Sequence, residues 1–395
     1  MEIGRHFMLC NNSAIDVMDM MMNSMTYLNQ HRVFQDQFGR QKRKLRISVT
    51  DRCNFKCVYC MPEHPEWMKK HELLSFDELF VFCQFMVQQG IEQIRITGGE
   101  PLMRHGVVHF IAQLQQLKSI GLKRISMTSN GHYLVKYAAS LKQAGLDDLN
   151  ISLDSLDAAQ FKVLTQNEIN PVLAGIEAAA QAGLGIKINT VLMKGINEDQ
   201  IIPLVKWAHN NQFEPRFIEF MPLDGDQKWS SDAVVTEQEI LNALSKEFAV
   251  HIQHGQGSNP ARNYNINGKS VGIISTISNS FCGTCDRLRL NAQGEFFNCL
   301  FAQNGLKLKS EIQHLTEAFL ENGLTQHLYT QSIDLAHAWQ AQSDVMQAQL
   351  ELQDQLANYI WHKAQGYDAI QKALKQEHST QPSHARKISM HMIGG

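Results

Sequence analysis

The chain of 395 residues contains no run of roughly 18–20 apolar residues, so it offers no membrane-spanning helix. It also lacks charge of one dominant sign. Lys+Arg 36 against Asp+Glu 39 gives a formal net charge of −3, which argues against a nucleic-acid partner but leaves room for a local basic pocket. No secretory leader is readable. Met18, Met20, Met21, Met22 and Met25 are interrupted by Asp16, Asp19 and Asn23, with no long apolar core and no small-residue cleavage site. The expectation is a cytoplasmic protein with reduced thiols and no membrane contact.

Cysteine is scarce and uneven. Of eight, Cys10 and Cys83 stand alone, while Cys53, Cys57 and Cys60 form one group and Cys282, Cys285 and Cys299 another. In a large chain expected to be reduced, such groups point to metal rather than to a disulfide framework.

From Leu45 onward, short β-rich runs alternate with amphipathic stretches. Strands are expected at Leu45–Thr50, Gln93–Thr97, Arg124–Thr128, Asp148–Leu153, Ile186–Leu192 and Arg216–Met221, and helices near 76–89, 105–119, 133–144, 171–182 and 198–210. Such alternation makes βαβ units with a parallel sheet. Six repeats are too few for a closed eight-unit barrel and fit a partial barrel or an open curved sheet. Beyond Pro222 come a helix near 236–248, a polar stretch (Gly255–Asn263) and a hairpin over Tyr264–Ser275 turning at Asn267–Gly268. The chain divides into an extension expected to be poorly ordered (1–33), the partial barrel (34–225), a region carrying the second cysteine group (226–326), a Gln- and Ala-rich helical insertion (327–376) and a tail (377–395).

Cys53-x3-Cys57-x2-Cys60 can wrap one face of a 4Fe–4S cube, and soft thiolates suit iron–sulfur clusters. A structural zinc site usually wants four ligands, and the fourth is missing nearby. The iron left without a protein ligand is free to bind a small molecule. In Thr97-Gly98-Gly99-Glu100-Pro101, after a strand, the glycines allow a backbone to approach a ligand closely. Tyr59 packs beside the cluster or stacks on a bound ring. Asn130, Gly131, Ser152 and Asp154, at the next strand ends, hydrogen-bond a ligand or cap the following helices.

Cys282-x2-Cys285 with Cys299 is a second three-thiolate set. Spacing alone leaves iron–sulfur and zinc both open, with His251 and His254 as distant candidates for a fourth zinc ligand. Arg287 and Arg289 alternate with Leu288 and Leu290, so a strand places both guanidiniums on one face, a natural phosphate clamp. Arg46 and Arg95 interrupt apolar strands, where an unpaired charge is costly.

The cysteine triplet followed by Gly-Gly-Glu-Pro resembles the radical S-adenosylmethionine (SAM) superfamily. Within it, residues 34–310 and Gly394–Gly395 are similar to the GTP 3′,8-cyclase family. The motifs are Asp36–Gly39, Leu45–Cys53, Arg95–Arg104, Phe217–Met221, Phe281–Leu290 and the terminal Gly-Gly. The resemblance implies a partial (β/α)6 TIM-type barrel with a C-terminal extension holding a second iron–sulfur cluster. It implies two 4Fe–4S clusters, with Cys53, Cys57 and Cys60 on the first and Cys282, Cys285 and Cys299 on the second. SAM would meet Tyr59, Gly99, Ser152 and Met221. GTP would meet Arg46, Arg95, Thr128, Lys187, Arg287 and Arg289. Arg287, Arg289, Gly394 and Gly395 are the implied catalytic set.

The family reaction is formation of 3′,8-cyclo-7,8-dihydro-GTP in molybdenum cofactor biosynthesis, after a 5′-deoxyadenosyl radical takes hydrogen from ribose C3′. Implied partners are a flavodoxin- or ferredoxin-type electron donor, a downstream cyclic pyranopterin monophosphate synthase and a second copy of the chain. Competing readings are a peptide-modifying radical SAM enzyme with an auxiliary cluster and a non-catalytic zinc protein.

Overall fold

The computed structural model describes residues 34–223, 226, 229–253, 257–328, 335–378 and 389–393. The extension expected over 1–33, His254 and Gly394–Gly395 lie outside the described residues.

Six strands arise where the alternation places them: β1 (Lys44–Ser48), β2 (Gln93–Thr97), β3 (Arg124–Ser129), β4 (Asp148–Ser152), β5 (Gly185–Leu192) and β6 (Glu214–Glu219). Successive strand residues point to opposite faces. Leu45, Ile47, Ile94, Ile96, Ile125, Met127, Leu149 and Ile151 are buried on one face. Arg46, Arg95, Thr128, Ser152 and Asn189 alternate with such residues and line chambers on the other.

Helices cover the apolar face: α1 (Phe76–Gln88), α2 (Val107–Gln116), α3 (Leu134–Gln143), α4 (Ala158–Thr165), α5 (Asn170–Gln181) and α6 (Ile201–Asn210). Ser75 caps α1, accepting the Glu78 N–H at 3.1 Å while Glu78 reaches back to the Ser75 N–H. Leu79, Phe82 and Met86 are its buried stripe. The short α4, with Asp157 accepting the Gln160 N–H at 2.8 Å, has no counterpart among the expected helices. No helix among the described residues is long and apolar enough to cross a membrane.

The later segment is woven into the same sheet rather than appended to it. Its elements are α7 (Glu237–Ser245), β7 (Val250–Ile252), β8 (Arg262–Ile266), β9 (Lys269–Ile274), β10 (Arg287–Leu290), β11 (Glu295–Phe297) and β12 (Leu306–Lys307). The β8–β9 hairpin turns at Asn267 (φ 52°) and Gly268 (φ 82°), the left-handed pair such a turn requires. The strand order is β12–β11–β10–β1–β2–β3–β4–β5–β6–β9–β8–β7. β9 runs parallel to β6 at one edge, and β10 runs parallel to β1 at the other.

The sheet must curl, because Lys44 and Arg287 from one edge share a chamber with Arg216 and Asn263 from the other. A loop closes the remaining gap. Lys44 Nζ donates to Ser258 Oγ at 2.7 Å, and Ser258 Oγ donates to Asp286 Oδ2 at 2.6 Å.

Behind this edge lie α8 (Lys309–Leu328) and α9 (Leu335–Trp361), followed by α10 (Tyr367–His378) and the single turn α11 (Met390–Ile393). α8 begins well before the helical stretch expected from residue 327. It packs Ile312 and Leu315 inward, as α9 does with Leu352, Leu356 and Ile360.

Candidate active site

Two chambers open on the concave face of the sheet. The first, about 880 Å³ with its mouth included, is ringed by Cys53, Cys57, Cys60, Tyr59, Gly98, Gly99, Thr128, Asn130, Ser152 and Asp154. The cysteine loop follows β1 and is stapled to the turn after β2. Gly99 N donates to Thr50 O at 2.7 Å and Glu100 N to Arg52 O at 2.8 Å. A Cβ on Gly98 would lie 2.6 Å from Thr50 O, and one on Gly99 would lie 2.5 Å from Asp51 O. The two glycines are therefore required by the neighbouring backbone as well as by any ligand.

Glu100, fully buried, ties two strand ends together. It accepts the N–H of Leu102 at 3.0 Å, the N–H of Asn130 at 2.8 Å and the Ser129 hydroxyl at 3.1 Å. Burial nevertheless pushes its carboxyl up to about 7.

The second chamber, about 960 Å³ with its mouth, is lined by Cys282, Cys285 and Cys299 together with Arg46, Arg95, Arg216, Arg287, Arg289 and Lys363. Both volumes suit sites that enclose small molecules. The crossover from β9 to β10 carries Cys282 and Cys285 over the mouth. Glu219, buried at the end of β6, accepts Ile277 N at 2.8 Å and Ser278 N at 2.9 Å, which fixes the start of that crossover. The charge in the Phe217–Met221 motif thus has a structural use.

The arginines stand in one rung. Arg289 of β10 is in register with Arg46 of β1, and Arg46 with Arg95 of β2. Adjacent strands lie about 4.8 Å apart, and like charges placed opposite one another repel. Burial, then Arg289 and Arg95, hold the Arg46 guanidinium well below its usual range. Burial and Arg287 bring Arg289 down to about 10. Below this rung Lys44, Arg124 and Lys187 join Arg46, Arg95, Arg216 and Arg287 around a connected basic space. Among the described residues no Asp or Glu lines either basic space, though Asp286, Asp148 and Glu214 pair with Lys44, Arg124 and Arg216. The buried Nε of Arg289 has no hydrogen-bond partner.

The thiol sets differ in their electrostatics. Burial pushes Cys53 up to about 11 and Cys60 to about 12, and burial with Asp154 holds Cys57 well above the usual thiol range. Burial also raises Cys285, but Arg287 and Lys363 outweigh it and bring that thiol down to about 5.

The donor sets fit four-iron clusters. No fourth cysteine and no histidine lines either chamber among the described residues. Nor do any three His, Cys, Asp or Glu side chains there converge to hold a single ion. Tetrahedral zinc draws its sulfurs to about 2.3 Å from one metal, whereas a cube takes thiolates at separate corners. His251, on edge strand β7, is not among the lining residues.

Tyr59, Gly99 and Ser152 line the first chamber, and Thr128 lines both. Met221, expected beside SAM, lines the second chamber, which adjoins the first through Thr128, Asn189, Val191, Ile218 and Met390. Arg287 reaches both basic spaces and Arg289 the second chamber, while Lys187 faces the lower space, 3.8 Å from Glu214.

Sequence reasoning misses Arg216, Lys44, Arg124, Lys363 and Met390. Arg216 alternates with Phe217 as Arg95 does with Ile96, a signal that was available. Met390 was not legible. It lines both chambers, from a segment held by Ser389 Oγ donating to Cys60 O at 2.9 Å and by Met390 N donating to Leu223 O at 3.1 Å.

Residues 47–208 match the family model of the Radical SAM superfamily, and residues 213–332 match that of Molybdenum Cofactor Synthesis C. Proteins called GTP 3′,8-cyclase from Staphylococcus aureus strains JH9 and Newman are each 39% identical over 302 residues, covering 74% of this chain and 86% of theirs. Among solved structures, Streptococcus suis SuiB bound to S-adenosylmethionine is similar in fold, with a TM-score of 0.54 at 14% identity, over 75% of this chain and 69% of that one. SuiB bound to its precursor peptide SuiA aligns with the same TM-score over 73% of this chain and 66% of that one. With two cysteine-ringed chambers set in a sheet that both family models span, and relatives alike over most of their length, the chain belongs to the GTP 3′,8-cyclase family of the radical SAM superfamily.

Proposed function

We propose that the protein converts GTP to 3′,8-cyclo-7,8-dihydro-GTP in molybdenum cofactor biosynthesis. Cys53, Cys57 and Cys60 hold one 4Fe–4S cluster, and Cys282, Cys285 and Cys299 hold another. When bound at the first cluster, SAM supplies a 5′-deoxyadenosyl radical able to take hydrogen from the ribose.

The observation that carries the substrate reading is the rung Arg289–Arg46–Arg95 above a space lined by Lys44, Arg124, Lys187, Arg216 and Arg287. Three like charges across adjacent strands repel and so favour a polyanion among them, and guanidiniums hold phosphate oxygens bidentately. Arg287 and Lys187 extend this grip along a triphosphate. Thr128, shared by both chambers, stands where a ribose would bridge them, and Met390 narrows the same passage. Tyr59, Gly99 and Ser152 enclose SAM. The buried walls keep water from a reactive intermediate, and fixed positions on strand ends align donor and acceptor. Gly394 and Gly395 follow directly on the docked Met390–Ile393 turn and complete the catalytic set with Arg287 and Arg289.

Further partners are a flavodoxin- or ferredoxin-type electron donor, cyclic pyranopterin monophosphate synthase acting on the product, and a second copy of the chain. The setting is cytoplasmic, where thiols stay reduced. The peptide-modifying alternative shares the fold of SuiB but gives the basic space no ligand.

The test is anaerobic reconstitution, an iron and sulfide count, and incubation with SAM, reductant and GTP. About eight irons per chain, with 5′-deoxyadenosine released only when GTP is present, is expected. Four irons with zinc, or SAM cleavage indifferent to GTP, would refute it.

A further inference from the structure

Asp36, Arg40 and Lys42 sit in a tight hairpin just before β1, outside both chambers. Gly39 (φ 75°) makes its turn, and Lys42 N donates to Phe34 O at 2.7 Å. Asp36 and Lys42 are fully buried, and Arg40 is nearly so. One Asp36 oxygen accepts Arg40 Nε at 2.7 Å and Lys42 Nζ at 2.5 Å.

Both cations then reach the second cysteine loop. Arg40 donates to Cys282 O at 2.8 Å, and Lys42 donates to Cys285 O at 3.0 Å. Arg40 also donates to Gln365 O at 2.8 Å and Ala364 O at 2.9 Å. That pins the start of the link to α10, where Lys363 donates to Asn298 O, the residue before Cys299. Each of the three cysteines thus has a buried cation on its own carbonyl or on the one preceding it.

We propose that Arg40 and Lys42, both paired with Asp36, and Lys363 on the Asn298 carbonyl form a frame that sets both the shape and the reduction potential of the cluster held by Cys282, Cys285 and Cys299. The inference rests on the cluster reading above. A purely structural staple would not need Lys42. Full burial of an ammonium is costly, and an apolar side chain of similar volume often serves folding as well or better. Against one carboxylate the frame carries three cations, leaving two positive charges uncompensated. A cluster bound through three thiolates gains negative charge on reduction, and nearby cations favour that form. Arg40 sets position, using four donors on three backbone carbonyls and Asp36. Lys42 sets charge.

The test uses the full chain with Cys53, Cys57 and Cys60 replaced by alanine, so that only the second cluster is read. In this parent, Lys42→Met is expected to keep about four irons per chain while its midpoint potential, followed by electron paramagnetic resonance, moves negative. Lys42→Arg should restore the potential. Arg40→Lys should lose at least about half the iron, since one ammonium with three donors cannot serve every partner of a guanidinium. An unmoved potential in Lys42→Met, or full iron in Arg40→Lys, overturns the frame alone. A parent that takes up no iron overturns the frame and the cluster assignment together.

Discussion

The phenol of Tyr59 donates to Asp154 Oδ2 at 2.7 Å, while Asp154 Oδ1 accepts the Val191 N–H at 2.9 Å. A residue lying between two cysteines of the first group is thereby tied to the chain just after β4. Tyr59→Phe keeps the ring but leaves a buried carboxylate oxygen without its donor. The cluster-free variant should lose about 1.5–3 kcal/mol of stability, read as a lower urea midpoint. An unchanged midpoint would show that the bond ties nothing down.

Gly99 faces the backbone of Asp51 and Arg52, and neither can move without displacing Cys53. Gly99→Ala should fold, because its strand neighbours are unaffected, yet hold about four irons per chain instead of about eight. The second cluster is the internal control. Retention of both clusters would mean that the turn tolerates a side chain.

Arg289 and Arg46 repel one another until an anion arrives. Arg289→Met should therefore stabilise the ligand-free protein slightly and weaken GTP binding about 10- to 100-fold, the worth of one charged hydrogen bond. Isothermal titration with GTP and with guanosine separates the effects, since guanosine has no phosphate for the arginine to hold. An equal loss for both ligands would place Arg289 away from the phosphates.

Glu100 has a carboxyl raised by burial to about 7, from 4.5. A raised folded pKa means the folded protein holds this proton more tightly than the unfolded chain does. Its stabilising share is complete below 4.5 and is lost as pH climbs through 7. The stability of the cluster-free protein relative to Glu100→Gln should fall between about pH 5 and about pH 8. A difference that stays flat with pH would contradict the burial argument.

Much of this was legible in the chain. The Gln93–Thr97 strand is where alternation puts it, and the Asn267–Gly268 turn follows from two residues that accept left-handed backbone. Both are local signals. β10 beside β1 is not local, since Lys44 and Arg287 meet across the length of the barrel, and no periodicity records a partner that distant. The same holds for Met390, which reaches both chambers from the last few residues. Arg216 carries the alternation signal in the chain, but a second reading competes with it. Glu214 lies two residues away and accepts its Nε at 2.6 Å, so the pair reads as an ordinary strand ion pair. Met221 was legible only as part of a motif, and it stands in the second chamber beside Met390, which lines both.

The placement of β9 and β10 at the two ends of the parallel run has a consequence for synthesis. While the polypeptide is still emerging, β1 and β6 are bare edges, each an open row of hydrogen-bonding groups that another nascent chain can pair with. β6 is covered once residue 274 is available, and β1 only when residue 290 is. Between those points the crossover bearing Cys282 and Cys285 is made. A message truncated after the first family match, at residue 208, would yield a protein with β1 unprotected, and aggregation rather than a soluble half-enzyme is its expected fate. Cluster assembly and escape from edge-to-edge aggregation mature within the same stretch of translation.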